Sequence, residues 1–117
     1  MPKVTVVTAT HNRADTFLPE TIRSVLAQTF MDFEYIIASD GSTDRTREVV
    51  REFMEKDPRV RYVELPHLGA AKTGTVLLSM AKGKYVAWLS DDDVWYEDFL
   101  ETAVRVLVDS DDAAVAY

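Results

Sequence analysis

The sequence predicts an α/β fold, a parallel central sheet with helices on both faces, and three observations carry that prediction. Four apolar runs, Val4 to Ala9, Phe33 to Ala38, Val60 to Leu65 and Tyr85 to Leu89, are rich in Val, Ile and Tyr. They show little alternation, as expected of strands whose two faces are both covered. Segments with helical spacing lie between them, and strand-helix alternation of this kind is the mark of a parallel α/β sheet. Polar clusters follow three of the four runs, which places chemistry at one edge of that sheet.

The elements follow in order. After the first strand, Leu18, Ile22, Val25 and Leu26 share one helical face, with Pro19 suited to the opening turn. After the second, Val49, Val50, Phe53 and Met54 form the apolar stripe, and Ser42 or Thr43 is expected to cap that helix, an interaction of about 1 kcal/mol. The third helix, Ala70 to Ala81, has the weakest pattern because Gly69, Gly74 and Thr75 lower helix propensity. A fourth is expected from about Tyr96 to Val108, turning Phe99, Leu100, Ala103, Val104 and Leu107 inward. Ala113 to Tyr117 then reads as a fifth strand just beginning. The expectation is a single domain over residues 1–117, the front part of a longer domain cut after its fourth helix.

Composition narrows the function. A chain of 117 residues, 47% hydrophobic and 28% charged, builds one core. Its formal net charge of -7 argues against nucleic acid or an anionic membrane surface as partner, since both require a basic face. Without cysteine there is no disulfide framework and no thiolate metal site. No stretch approaches the roughly 20 apolar residues of a membrane span. The first apolar run ends by Ala9, too short for a signal-peptide core, so a cytoplasmic protein is expected.

Ligands of open α/β sheets bind outside the carboxyl ends of the strands. Thr8-Ala9-Thr10-His11-Asn12-Arg13 follows the first strand, Ser39-Asp40-Gly41-Ser42-Thr43-Asp44 the second, and Ser90-Asp91-Asp92-Asp93 the fourth. Three consecutive carboxylates suit a hard cation, Mg2+ or Mn2+, shared with a phosphate. The competing reading is a helix start or an acidic turn. Asp40-Gly41 is equally a good turn, and Asp44 reads as a helix first-turn acid before it reads as a ligand. His11 and His67 are read as loop residues first. Trp88 reads as core, and Trp95 as core or as a face for an acceptor sugar. Arg45, Arg47 and Arg51 read as a solvated helix face.

These motifs, together with Ala81-Lys82-Gly83-Lys84-Tyr85 and Leu89-Ser90-Asp91-Asp92-Asp93-Val94-Trp95, resemble family 2 glycosyltransferases from Val4 to about Leu107; Leu18, Ser24-Val25-Leu26 and Gln28 match the family's first helix. The resemblance implies a Rossmann-like GT-A fold and a nucleotide-diphospho-sugar donor, UDP-sugar favoured. It implies a divalent metal and inverting transfer of the sugar to an acceptor hydroxyl on a saccharide or lipid-linked molecule. Asp40 would accept the imide N–H of uracil, with Gly41 and Ser42 beside it. The main chain around Thr8, Ala9 and Thr10 would line base and ribose, with Asn12 and Arg13 near the base or phosphates. Asp91 and Asp92 would lie at ribose and metal, Asp92 the first choice as metal ligand and Asp93 the alternative. The catalytic base is expected beyond Tyr117, so this chain alone is expected to bind donor without transferring sugar.

The sequence departs from the family pattern at Ser39 and Ser90, which stand where an acidic residue is common. Lys72 stands where an Arg is usual, a point charge without the planar fork. Rival functions are a non-catalytic nucleotide-sugar-binding module and a sugar nucleotidyltransferase. The second calls for a Gly-rich basic loop after the first strand, and Thr8 to Arg13 contains no Gly. An unfinished sheet also predicts an exposed edge strand able to pair with a second copy.

Overall fold

The computed structural model of the protein describes residues 2–109 and 115–116. Its element order is β1 (Val4–Thr10), α1 (Leu18–Leu26), β2 (Phe33–Asp40), α2 (Thr46–Lys56), β3 (Val60–Leu65), α3 (Ala70–Met80), β4 (Tyr85–Trp88), α4 (Phe99–Asp109) and β5 (Val115–Ala116). The strands form one sheet of order β3-β2-β1-β4-β5, and every pairing is parallel. The strand expected over residues 113–117 is present as β5; its flanking residues lie outside those described.

Helices cover both faces, as the apolar runs require. On one side Leu18, Ile22 and Val25 of α1, Val50 of α2 and Leu100, Val104 and Leu107 of α4 pack on Val4, Val6, Tyr35 and Ile37. On the other, Leu77 of α3 packs on Val7, Ile36 and Ala38. Thus α1 and α2 carry the chain outward from β1 over one face, and α3 returns it over the opposite face to β4. The winding therefore reverses between β1 and β4, the position where such sheets open a crevice.

Register sharpens that crevice. Thr10 of β1 stands level with Ser39 of β2, and Asp40 with Leu65 of β3. β4 ends at Trp88, opposite Val7, three residues short of the end of β1. The acidic run therefore turns away beside Thr8 to Thr10.

The opposite edge is locked by a buried carboxylate. Glu34 accepts the Thr5 hydroxyl at 2.6 Å, the Lys82 amide at 2.7 Å and the Arg61 guanidinium at 2.8 Å. These donors outweigh the effect of burial and hold its pKa below the ordinary carboxylate value. Gly83 passes so close to β1 that an added Cβ would stand 2.6 Å from the Thr5 nitrogen.

Three local expectations are corrected. α2 begins at Thr46, without a cap from Ser42 or Thr43; Asp44 instead accepts the Thr46 amide at 3.1 Å, so the acid wins the start of the helix. α4 begins at Phe99 rather than near Tyr96. Met54, placed on the buried stripe of α2, is 38% exposed. Among the described residues no helix is long and apolar enough to cross a membrane.

Candidate functional site

The end of β4 is fixed to β1 before the acidic run begins. The Leu89 amide donates to the Val7 carbonyl at 3.0 Å, and the Thr8 hydroxyl donates to the Leu89 carbonyl at 2.8 Å. With its one proton committed there, Thr8 receives the Tyr35 hydroxyl at 2.8 Å. Complete burial raises the Tyr35 pKa far above its ordinary value, so this phenol stays protonated and donates. Thr8 is accordingly a strut within the sheet, its side chain spent before any ligand arrives. Thr10, two residues on, is buried with a hydroxyl that finds no partner among the described residues. Such an orphan calls for water or ligand.

The three aspartates have three different surroundings. Asp91, with a side chain 18% exposed, accepts the His11 amide at 3.4 Å and lies 3.9 Å from Nε of Arg13. The Arg13 guanidinium also stands 5.8 Å from the Phe17 ring centroid. Asp93 accepts the following Val94 amide at 2.9 Å. Asp92 is exposed and makes no hydrogen bond among the described residues. No three His, Cys, Asp or Glu side chains gather into a metal cage among the described residues. What the segment offers is hard oxygen donors, one of them unengaged, which fits a cation whose remaining ligands are phosphate and water.

Asp40 is mostly committed. It is 7% exposed. Oδ1 accepts the Leu68 amide at 2.6 Å and the Gly69 amide at 3.3 Å, while Oδ2 lies 3.2 Å from the Gly69 nitrogen. Burial alone would raise its pKa; the two amides and the nearby His67 hold it below the ordinary value. Of its roughly four acceptor directions, the amides take at least two. Gly41, at φ 69°, fits under this turn: a Cβ there would come 2.8 Å from Cβ of His67. Both histidines gather at the same peptide. Nδ1 of His11 donates to the Asp40 carbonyl at 2.7 Å, and Nδ1 of His67 lies 3.2 Å from it. Because a carbonyl only accepts, Nδ1 of His11 carries the proton and Nε2 accepts from Asn12 at 3.3 Å.

Asn12 and Ser42 join the first two loops. The Asn12 side chain accepts the Thr43 amide at 2.8 Å, and the Ser42 hydroxyl accepts the Asn12 amide at 3.1 Å. Asp44 adds a third tie by accepting the Ala14 amide at 3.0 Å. Lys72 is exposed in the first turn of α3 and makes no ion pair among the described residues.

A cleft of about 760 Å³ lies over the reversal between β1 and β4. Ala9, Ala70 and Leu78 with Trp88 and Trp95 form its apolar walls, and Ser90, Asp91 and Asp93 line its polar side. The structure thus brings Ala9, Asp91 and Asp93 onto one cavity. Asp40, Gly41, Ser42 and Asn12 form an adjoining loop cluster that does not line it. The walls from α3 were missed in the sequence. The readable signal was small-residue spacing: Gly74 leaves room for Trp88, whose Cη2 would be 3.1 Å from an added Cβ. Trp95 serves both readings, stacking on Phe99 with ring centroids 4.3 Å apart while also walling the cleft.

A reversed parallel sheet with this acidic cleft is the architecture of GT-A glycosyltransferases, and the likeness extends to sequence. Residues 5–117 match Glycosyl transferase family 2, and the chain belongs to that family. It is 37% identical over 109 residues to TuaG of Bacillus subtilis, a glycosyltransferase assigned to teichuronic acid biosynthesis, covering 92% of this chain and 43% of that protein. It is 32% identical over 117 residues to chondroitin synthase of Pasteurella multocida, covering all of this chain and 12% of the synthase. Among solved structures, the mannosyltransferase PcManGT of Pyrobaculum calidifontis, in complex with GDP-Man and Mn2+, superposes with TM-score 0.85 at 29% identity, over 93% of this chain and 33% of that one. TarS of S. aureus in complex with UDP-GlcNAc gives TM-score 0.84 at 26% identity, over 92% and 31%. The chain spans less than half the length of each of these proteins.

Proposed function

We propose that this chain is the donor-binding part of an inverting glycosyltransferase that takes a nucleotide-diphospho-sugar, UDP-sugar by preference, for transfer to an acceptor hydroxyl of a saccharide or lipid-linked molecule. The observation that carries the reading is the cleft at the β1–β4 reversal, apolar on the α3 side and carboxylate-lined at the end of β4. The nucleotide-sugars held by TarS and PcManGT and the Mn2+ in the latter support it.

In this reading each residue takes a role that its surroundings support. Ala9 and Ala70 present small side chains against which a base and ribose lie flat. Arg13, beside Asp91, meets a phosphate oxygen in this reading. Asp40 keeps an acceptor direction for a base imide N–H beside those taken by the Leu68 and Gly69 amides. Asp92, unengaged and exposed, is the first carboxylate available to Mg2+ or Mn2+, with Asp91 and Asp93 flanking it. When bound, such a cation would neutralise charge developing on the leaving diphosphate.

Calorimetric titration of UDP, with Mn2+ and with EDTA, on the parent and on Asp92→Ala, tests the reading. Metal-dependent binding that disappears in the variant is expected. Absence of binding to UDP, GDP and dTDP alike would overturn it.

A further inference from the structure

The acidic segment is tied to α1 and to the residues just beyond it. Thr21, buried on α1, donates its hydroxyl to the Asp93 carbonyl at 2.6 Å and stands 3.2 Å from the Asp91 carbonyl. One turn on, the Ser24 hydroxyl donates to the Thr21 carbonyl at 2.7 Å and accepts the Trp95 amide at 3.2 Å. Gln28, also buried, donates to the Tyr96 carbonyl at 2.7 Å and to the Ser24 carbonyl at 3.0 Å, while its oxygen accepts the Leu100 amide at 2.9 Å. The backbone of Thr29 completes the row by donating to the Glu97 carbonyl at 2.8 Å. A polar stripe at helical spacing, 21, 24 and 28, therefore pairs with residues 91, 93, 95, 96 and 100. Elsewhere the segment between β4 and α4 is tied by Thr8 at Leu89 and by the His11 amide and Arg13 at Asp91.

We infer that Thr21 and Ser24 on α1, with Gln28 just beyond its end, are positioning residues, a template that fixes where the Asp91, Asp92 and Asp93 carboxylates stand relative to the cleft. None of the three touches the ligand in this reading; each acts on the backbone that carries the carboxylates. Thr21 is the centre of the device, because its hydroxyl lies against the carbonyls on either side of Asp92. Gln28 marks the far boundary: its oxygen takes an orphan amide in the first turn of α4. Outer contacts of this kind orient ligating groups, and their loss costs about 10–100-fold in metal affinity. The functional half of this inference rests on the donor-site reading above; the positional half does not.

The test uses Thr21→Val, which keeps shape and removes the hydroxyl, with Thr21→Ser as the conservative rescue. Two readouts are taken: the gain in UDP affinity that Mn2+ confers over EDTA, and amide hydrogen exchange across residues 91–100 without ligand. The expected result is a metal-dependent gain reduced by about tenfold or more in Thr21→Val, metal-free UDP affinity within about twofold of the parent, and recovery in Thr21→Ser. Exchange of the Asp93 to Tyr96 amides should rise in Thr21→Val while the strand amides stay protected. Should Thr21→Val fail to fold, Ser24→Ala takes its place, with faster exchange of the Trp95 amide expected. A variant that melts lower but keeps both the metal-dependent gain and parental exchange at 91–100 overturns the inference. A parent that binds no nucleotide, with exchange in the variant still raised, supports the template and sinks the donor-site reading alone.

Discussion

The Leu68 amide lies 2.6 Å from Oδ1 of Asp40, so the last residue of β2 clamps the turn that leads into α3. Asp40→Ala removes both oxygens, so the Leu68 and Gly69 amides lose their shared acceptor. Losing a hydrogen bond to a charged acceptor costs about 1.5–3 kcal/mol, and a loss of that order is expected in urea unfolding at neutral pH. A variant as stable as the parent would show that the clamp adds nothing to the fold.

Acidification should destabilise the protein through its depressed carboxylates, among them Glu34, Asp40 and Asp44. Glu34, Asp40 and Asp44 are all held below their ordinary values of 4.5, 3.8 and 3.8; burial pushes each upward, and hydrogen bonds outweigh it. Groups depressed in the folded state bind more protons when unfolded, so the stability they contribute is complete above those ordinary values. It is lost as pH falls through the lower folded ones. The urea midpoint is expected to hold between roughly pH 5 and pH 7 and to fall below about pH 4. Stability that rises on acidification through pH 4 would contradict the assignment.

Where sequence reading succeeded and failed follows from the range of the interactions involved. Each apolar run became a strand, Val60–Leu65 with the expected bounds; in β1 and β2, buried almost throughout, the covering of both faces is written into consecutive side chains. The positions of Asp40 and Asp91 at strand ends were legible for the same reason. Their partners were not. The Asp40 carboxylate meets amides 28 and 29 residues away, and Thr21 meets carbonyls 70 and 72 residues away; no local pattern announces such pairs. The start of α4 was misplaced, and the Leu100 amide in its first turn is taken by Gln28, 72 residues away. Thr8, whose main chain was expected to line a base and ribose, has its side chain engaged as a buried strut to Leu89.

Asn12 makes the coupling of the first two loops testable. It adopts φ 54° and accepts the Thr43 amide. Asn12→Gly keeps the backbone conformation and loses the hydrogen bond; Asn12→Ala loses the bond and strains the backbone as well. A left-handed conformation costs a residue with a Cβ about 1–2 kcal/mol, so Ala is expected to be less stable than Gly by about that amount. Equal stability of the two variants in thermal unfolding would show that the loop relaxes out of that conformation.

Two glycines should separate fold from site. At Gly83 an added Cβ meets backbone, 2.6 Å from both the Thr5 nitrogen and the Val4 carbonyl carbon. Strand β1 cannot move there without disturbing its register with β2 and β4, so Gly83→Ala should destabilise by about 1–3 kcal/mol or more. At Gly74 the added Cβ meets only the rim of Trp88, 3.1 Å from Cη2 and 3.4 Å from Cζ3, and replacing a mid-helix glycine by alanine returns about 1 kcal/mol of helix propensity. The crowding is a few tenths of an ångström against a side chain already lining an open cleft, so the two effects should nearly cancel. Gly74→Ala is therefore expected to melt close to the parent but with Trp88 displaced into the cleft, read as a shifted tryptophan emission and weaker UDP binding. A variant with parental emission and binding would mean that the α3 wall is not part of the donor site, whereas a Gly83→Ala protein as stable as the parent would mean that β1 and the Lys82–Lys84 turn can separate at little cost.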